Sequence, residues 1–247
     1  MTNIRKDHLV LISGKSATGK SVSLQYLKDS SNVMYLNCEA GKLLPFKNDF
    51  KELIVTNTDQ IYQAFTEAEK MEGVHTIVID TLTYLMDMYE STRVLTSTKT
   101  MQAWGHYAQY MKILMSQFVA KSTKNIIFLA HTADILNEKE MVHETMVKVK
   151  GSLMANGVES FFTNVISTKK LALTSIDEKQ ATSELYTVTE EEEELGYKYV
   201  YQTKLTRDTV NERIRAPIGM WKINETYIDN NVQYVLDRLH NFYGKDN

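Results

Sequence analysis

Gly14-Lys15-Ser16-Ala17-Thr18-Gly19-Lys20-Ser21 fits GxxxxGK[ST] at every fixed position. Its surroundings fit as well: the β-rich run His8–Ile12 precedes it and Val22–Lys28 follows with helical spacing. A loop with glycines at both ends can fold its backbone so that successive N–H groups point inward at an anion. The start of a helix behind it adds free N–H groups and partial positive charge. Lys20 then offers a point charge to the outer phosphates, and the Ser21 hydroxyl a ligand for Mg²⁺. The segment therefore predicts a nucleoside-triphosphate site.

Working outward, further short apolar runs occur at Val33–Leu36, Thr76–Ile79 and Ile126–Leu129, each continuous rather than alternating. Continuous apolar strands are those covered on both faces, as in a parallel sheet between helices. Ile61–Met71 has amphipathic helical spacing. Met101–Lys121 carries a longer stripe of Trp104, Tyr107, Ala108, Met111, Leu114, Met115, Phe118 and Val119. The alternation predicts an α/β fold with a mostly parallel central sheet flanked by helices. From about Ala133 the texture changes. Phe161–Thr168 and Tyr197–Leu205 read as strands, Glu190–Glu194 as an exposed turn, and Val232–Phe242 as a final helix. The expected organisation is a core over residues 1–175 and a β-rich extension with a final helix, 176–247, packed on it.

A metal carried by the loop needs a carboxylate at the end of another strand. Thr76-Ile77-Val78-Ile79-Asp80 supplies Asp80, and the Thr81 hydroxyl is placed to orient it. No glutamate follows Asp80, so a water-activating base has to come from elsewhere. The strand Val33–Leu36 ends in Asn37-Cys38-Glu39; if it neighbours the others, Glu39 opens onto the same edge as the loop and can take a proton from water. Cys38 reads as a small buried side chain. The strand Ile126–Ala130 ends in His131, which can touch the terminal phosphate and pass its presence to the segment that follows.

Composition narrows the class. The 247 residues include one cysteine, so no internal disulfide forms, and without CxxC or HExxH spacing a structural zinc is disfavoured. The reducing cytosol is the expected compartment. No apolar run approaches the ~18 residues of a membrane helix, and MTNIRKDHLV has no signal-like stretch, so neither membrane insertion nor secretion is expected. Net charge is −3, from 28 basic and 31 acidic residues; any nucleic-acid contact must be local.

Together, the loop Gly14–Ser21, the glutamate in YLNCEAG, Asp80-Thr81 in IVIDTLT and the polar end of IIFLAHT resemble the RecA-like family of P-loop recombination ATPases. The likeness spans roughly residues 8–170 and is greatest to compact phage members that act in single-strand annealing and recombination. It implies a RecA-like core, ATP and Mg²⁺ as cofactors, and DNA-stimulated ATP hydrolysis. Lys20 and Ser21 would take phosphate and Mg²⁺, Asp80 the metal's water shell, Glu39 the general base, and His131 the coupling to DNA. It also implies self-association with the nucleotide at a subunit interface. Three departures stand out. Only residues 1–7 precede the first strand, so the N-terminal segment through which RecA protomers grip one another is expected to be missing, and filament assembly of that kind is not expected. Histidine stands where the family usually has an amide. Asn211–Pro217 matches only loosely the basic stretch that reaches a neighbour's nucleotide. Arg213 or Arg215 acts there as a finger, or both are solvated surface residues.

By the same resemblance, single-stranded DNA would meet Ala133–Gly151, through Lys139, Lys148 and Lys150. A mixed-charge helical hairpin is the alternative reading of that stretch, which has no aromatic for base stacking. Two other functions share the loop. A small-molecule kinase would carry an arginine-rich lid, yet no arginine lies between Arg5 and Arg93 or between Arg93 and Arg207. A helicase loader or replication accessory module would spend ATP on exchanging protein partners.

Overall fold

A computed structural model describes residues 8–176 and 182–244. The start of the expected core (residues 1–7) and residues 177–181 and 245–247 of the expected extension lie outside the described residues. The apolar runs become strands β1 (Leu9–Gly14), β2 (Val33–Asn37), β4 (Thr76–Asp80) and β5 (Asn125–Asn137). They are joined by β3 (Lys51–Ile54), β6 (Val142–Val147), β7 (Val165–Ala172), β8 (Tyr197–Gln202) and β9 (Tyr227–Asp229). The sheet order is β3-β2-β4-β5-β1-β7-β8-β9, with β6 paired to β5. Every pairing from β3 across to β7 is parallel. β8 and β9 continue the sheet antiparallel. The α/β architecture expected from the sequence is the one observed.

The continuous apolar strands are covered on both sides, as their pattern requires. Leu9, Leu11, Ile77, Ile79 and Phe128 face one core with α1 (Asp59–Lys70), α2 (Leu82–Tyr89) and α3 (Thr100–Ile113), which contribute Phe65, Leu85 and Met111. Val10, Ile12, Val78, Ile127 and Leu129 face the other, closed by Val232, Val235 and Leu239 of α6 (Val232–Tyr243). The stripe over Met101–Lys121 is α3 continued by a π turn (Leu114–Phe118) and a short 3₁₀ turn (Val119–Lys121). A short α4 (Ser152–Asn156) packs on α3. No helix among the described residues is long and apolar enough to cross a membrane.

Three local expectations are corrected, and the alternative reading of Ala133–Gly151 does not hold. The segment after the loop is a six-residue 3₁₀ helix, Ser21–Tyr26, rather than a longer α-helix; Leu27 is already extended and Asp29 left-handed. Ser23 Oγ bonding the Lys20 carbonyl at 2.6 Å competes with α-type pairing there. Glu190–Glu194 is not a turn but most of α5 (Glu190–Leu195). Thr189 and Glu192 cap it reciprocally, its acidic first turn suits the positive end of the helix, and left-handed Gly196 ends it. The stretch from Ala133 is no helical hairpin: β5 runs on to Asn137 and turns back antiparallel as β6. The strand expected from Phe161 begins only at Val165, because Val158–Phe161 close a 3₁₀ turn.

Candidate functional site

Register sets the site. In the sheet Asn37 lies beside Asp80, Asp80 beside Leu129 and Gly14 beside His131. The carboxyl ends of β2, β4, β5 and β1 therefore open on one edge, where α/β sheets bind ligands. There a cavity of about 230 Å³ is lined by Ser16, Ala17, Gly19, Lys20, Ser21, Tyr35, Glu39, Lys42, Asp80 and His131, together with Leu43, Leu44 and Pro45. The residues expected to hold phosphate, metal and water thus come together from segments far apart in the chain.

The loop turns through left-handed Ala17 (φ 59°) and Gly19 (φ 93°). Its first glycine has a steric reason: a Cβ on Gly14 would lie 2.2 Å from Thr168 Oγ1 and 2.9 Å from the Thr168 carbonyl oxygen. Asn230, just after β9, donates to the Gly19 carbonyl at 2.7 Å, so the C-terminal region braces the loop. Thr18 and Thr168 hydroxyls meet at 2.5 Å on the other flank. Not every loop side chain faces the cavity. Gly14, Lys15 and Thr18 border a neighbouring one, and Lys15 Nζ pairs with Asp134 Oδ2 at 2.7 Å.

Lys20 is 6% exposed and donates to the carbonyls of Gly14 (3.0 Å) and Lys15 (2.7 Å). Burial lowers its pKa to about 8, against the pull of Asp80 and Glu39. Asp80 is buried. Its Oδ2 accepts from Ser21 Oγ at 2.8 Å and Tyr35 OH at 2.9 Å, while its equally buried Oδ1 has no hydrogen-bond partner. Burial pushes the Asp80 carboxyl up, and the two hydroxyls oppose it. Thr81 does not orient this carboxylate as expected: its Oγ1 accepts from Tyr84 N at 3.4 Å and caps α2. Ser21 and Tyr35 do that work instead.

Glu39 is held on both oxygens. His131 Nε2 lies 3.4 Å from Oε1 and Lys42 Nζ 2.8 Å from Oε2. The hydrogen bond from His131 and then that from Lys42 outweigh desolvation and bring its pKa to about 2. The Thr83 hydroxyl accepts from His131 N at 2.9 Å, fixing the strand at that residue. Cys38 is buried, and burial raises its thiol well above the ordinary range, which leaves it unreactive.

Residues 6–203 match the family described as an AAA domain. The chain belongs to that family. No curated protein matches it. As an AAA domain it is a P-loop ATPase domain, which implies nucleotide binding, typically with Mg²⁺. The donor set fits such an ion: a hydroxyl and a carboxylate stand together beside the loop, and a buried carboxylate oxygen lacks a partner.

The remaining candidates lie elsewhere: Ala133–Gly151 within the matched residues, Arg213 and Arg215 beyond residue 203. Arg213 donates to Glu144 Oε2 at 3.1 Å and stands 4.0 Å from Glu159 Oε2; Arg215 is exposed beside β7. Neither lines the cavity of its own chain. In Ala133–Gly151, Lys139 is at the tip of the β5–β6 hairpin, Lys148 follows β6, and Lys150 is paired with Glu90 at 2.5 Å. Tyr35, Lys42, Thr83 and Asn230 were not foreseen. Tyr35 opens the YLNCEAG stretch, Lys42 follows it directly and Thr83 closes IVIDTLT, so all three lay beside or within recognised motifs; Asn230 is far from any of them.

Proposed function

We propose that the protein is a RecA-like ATPase that hydrolyses ATP on single-stranded DNA in recombination or annealing. What carries the reading is the position of Glu39: it lies two residues past the end of β2, the strand paired with the Asp80 strand, and lines the same cavity as Lys20 and His131. On this reading Lys20 binds the outer phosphates, and Ser21 with Asp80 holds Mg²⁺, which neutralises phosphate charge when bound. Glu39 orients the attacking water and receives its proton.

His131 is the coupling residue. It ends the buried part of β5, and the same strand runs on without a break into the hairpin arm Thr132–Asn137. A change of contact at His131 thus reaches Ala133–Gly151 through one continuous strand. That stretch carries Asp134, Glu138, Glu140 and Glu144 against Lys139, Lys148 and Lys150, so its affinity for DNA rests on few phosphate contacts and on backbone N–H groups. Self-association would bring Arg213 or Arg215 of one copy to the nucleotide of the next; Arg215 is the freer, since two carboxylates already hold Arg213. A cytoplasmic setting follows from this role.

The test is the steady-state ATP hydrolysis rate with and without single-stranded DNA, over a range of salt. Stimulation that fades as salt rises supports the reading. Turnover indifferent to DNA, with specific binding to a replication protein, favours a loader instead.

A further inference from the structure

Lys42 belongs to none of the sequence motifs, yet it lies at the centre of the site's electrostatics. Its ammonium sits on Glu39 Oε2 at 2.8 Å, while its side chain, which lines the cavity, is 71% exposed. The chain reaches it through two left-handed residues, Ala40 (φ 55°) and Gly41 (φ 78°). The resulting turn is pinned at its backbone: Lys42 N donates to the Glu39 carbonyl at 3.1 Å and the Lys42 carbonyl accepts from Asn37 Nδ2 at 3.0 Å. The Cα of Lys42 is therefore fixed beside the site, and only its flexible stem is free to swing. Asp80 and Glu39 both draw its charge inward.

We propose that Lys42 is a second cationic ligand of the nucleotide's terminal phosphate, and that transfer of its ammonium from Glu39 to that phosphate readies the carboxylate to act on water. The inference rests on the reading of the site as an ATPase with Glu39 as base. With His131 on one oxygen and Lys42 on the other, Glu39 is a poor proton acceptor. A terminal phosphate carries more negative charge than one carboxylate and competes for the ammonium. Once Lys42 turns to it, the water oxygen bonds to the terminal phosphorus as the bridging P–O bond breaks and ADP leaves, and the water's proton goes to Glu39. ADP lacks the group Lys42 would hold, so the residue also distinguishes the two nucleotides.

Calorimetric affinities for the nonhydrolysable analogue AMP-PNP and for ADP, both with Mg²⁺, test this in the full chain. Lys42→Met is expected to weaken AMP-PNP binding roughly tenfold or more, as loss of a charge-assisted contact does, with ADP binding unchanged. The unchanged ADP affinity also reports an intact fold. Lys42→Arg keeps the charge and should restore most of the preference for AMP-PNP. In a Glu39→Gln background Lys42 has lost its carboxylate partner, so AMP-PNP should bind more tightly than to the wild type. An AMP-PNP to ADP ratio unaltered in Lys42→Met overturns the proposal, whether both affinities hold or both fall together. The base assignment is judged apart from this, by ATP turnover of Glu39→Gln alone.

Discussion

Ser21 Oγ donates a 2.8 Å hydrogen bond to Asp80 Oδ2, tying the end of the phosphate-binding loop to the end of β4 across the width of β5. The second oxygen of that carboxylate is buried and free of any hydrogen bond. A buried acceptor left open is costly unless a ligand uses it.

Asp80→Asn keeps the size of the side chain but removes its charge. The expected result is an intact fold and a Mg²⁺ affinity for the nucleotide complex weakened by about 10–100-fold, the usual scale for outer-shell partners of a metal. Magnesium titrations of nucleotide binding check it.

Lys20 gives a prediction with a definite sign. Its folded pKa, about 8, lies below the ordinary 10.5, with burial as the main cause. The folded protein therefore holds fewer protons than the unfolded chain between those values, and stability rises as pH climbs from about 8 towards 10.5. Below that window the buried charge is a standing cost. Lys20→Met should lose nucleotide binding and yet be more stable at neutral pH, by the order of 1–3 kcal/mol after the two orphaned carbonyls are allowed for. Denaturant melts of both proteins at neutral and alkaline pH measure it.

The opposite sign applies to Glu39. Its pKa of about 2 lies below the ordinary 4.5, chiefly because of the bond from His131. The stability it contributes is full above the ordinary value and disappears as pH falls through the folded one. In His131→Ala the folded pKa should move up towards the ordinary value, so Glu39 contributes less stability at neutral pH and loses it over a narrower acid window. Carboxyl chemical shifts of Glu39 followed by NMR through an acid titration provide the readout.

How much of this was legible in the sequence differs by residue. The strands of the parallel sheet were plain because each is buried on both faces, and such burial demands unbroken apolar runs like Thr76–Ile79. β3 was missed because Lys51–Ile54 lies at the sheet's edge, mostly exposed, and carries no such run. β6 was missed for a similar reason: in Val142–Val147 only Met146 and Val147 are buried, and His143, Glu144 and Thr145 break any apolar run. Lys20, Ser21 and Asp80 declared themselves by spacing. Glu39 required an assumption about strand order, which the pairing of β2 with β4 supplies. Tyr35 and Asn230 carry no local signal, because their partners, Asp80 and Gly19, are set by the fold. Thr81 misled because a hydroxyl beside a carboxylate serves a helix cap equally well.

Gly14→Ala tests the packing behind the loop. Its new methyl would press on Thr168 Oγ1 at 2.2 Å and on backbone at 2.9 Å, so β7 and the loop would have to part. A loss of about 1–3 kcal/mol is expected, as for overpacked cores, together with weakened nucleotide binding. Adding Thr168→Ala removes the hydroxyl but not the carbonyl contact, so it should recover only part of the loss. Thermal melts of the single and double variants settle the comparison.

The most direct test of the site is a single-turnover hydrolysis measurement on Glu39→Gln, with ATP binding followed on the same sample. Binding is expected to be no weaker than in the wild type, and tighter where Lys42 is freed, with the chemical step slowed by roughly 10²–10⁴-fold, the usual worth of a positioned general base. Wild-type hydrolysis from a variant that binds ATP normally would contradict the assignment of Glu39.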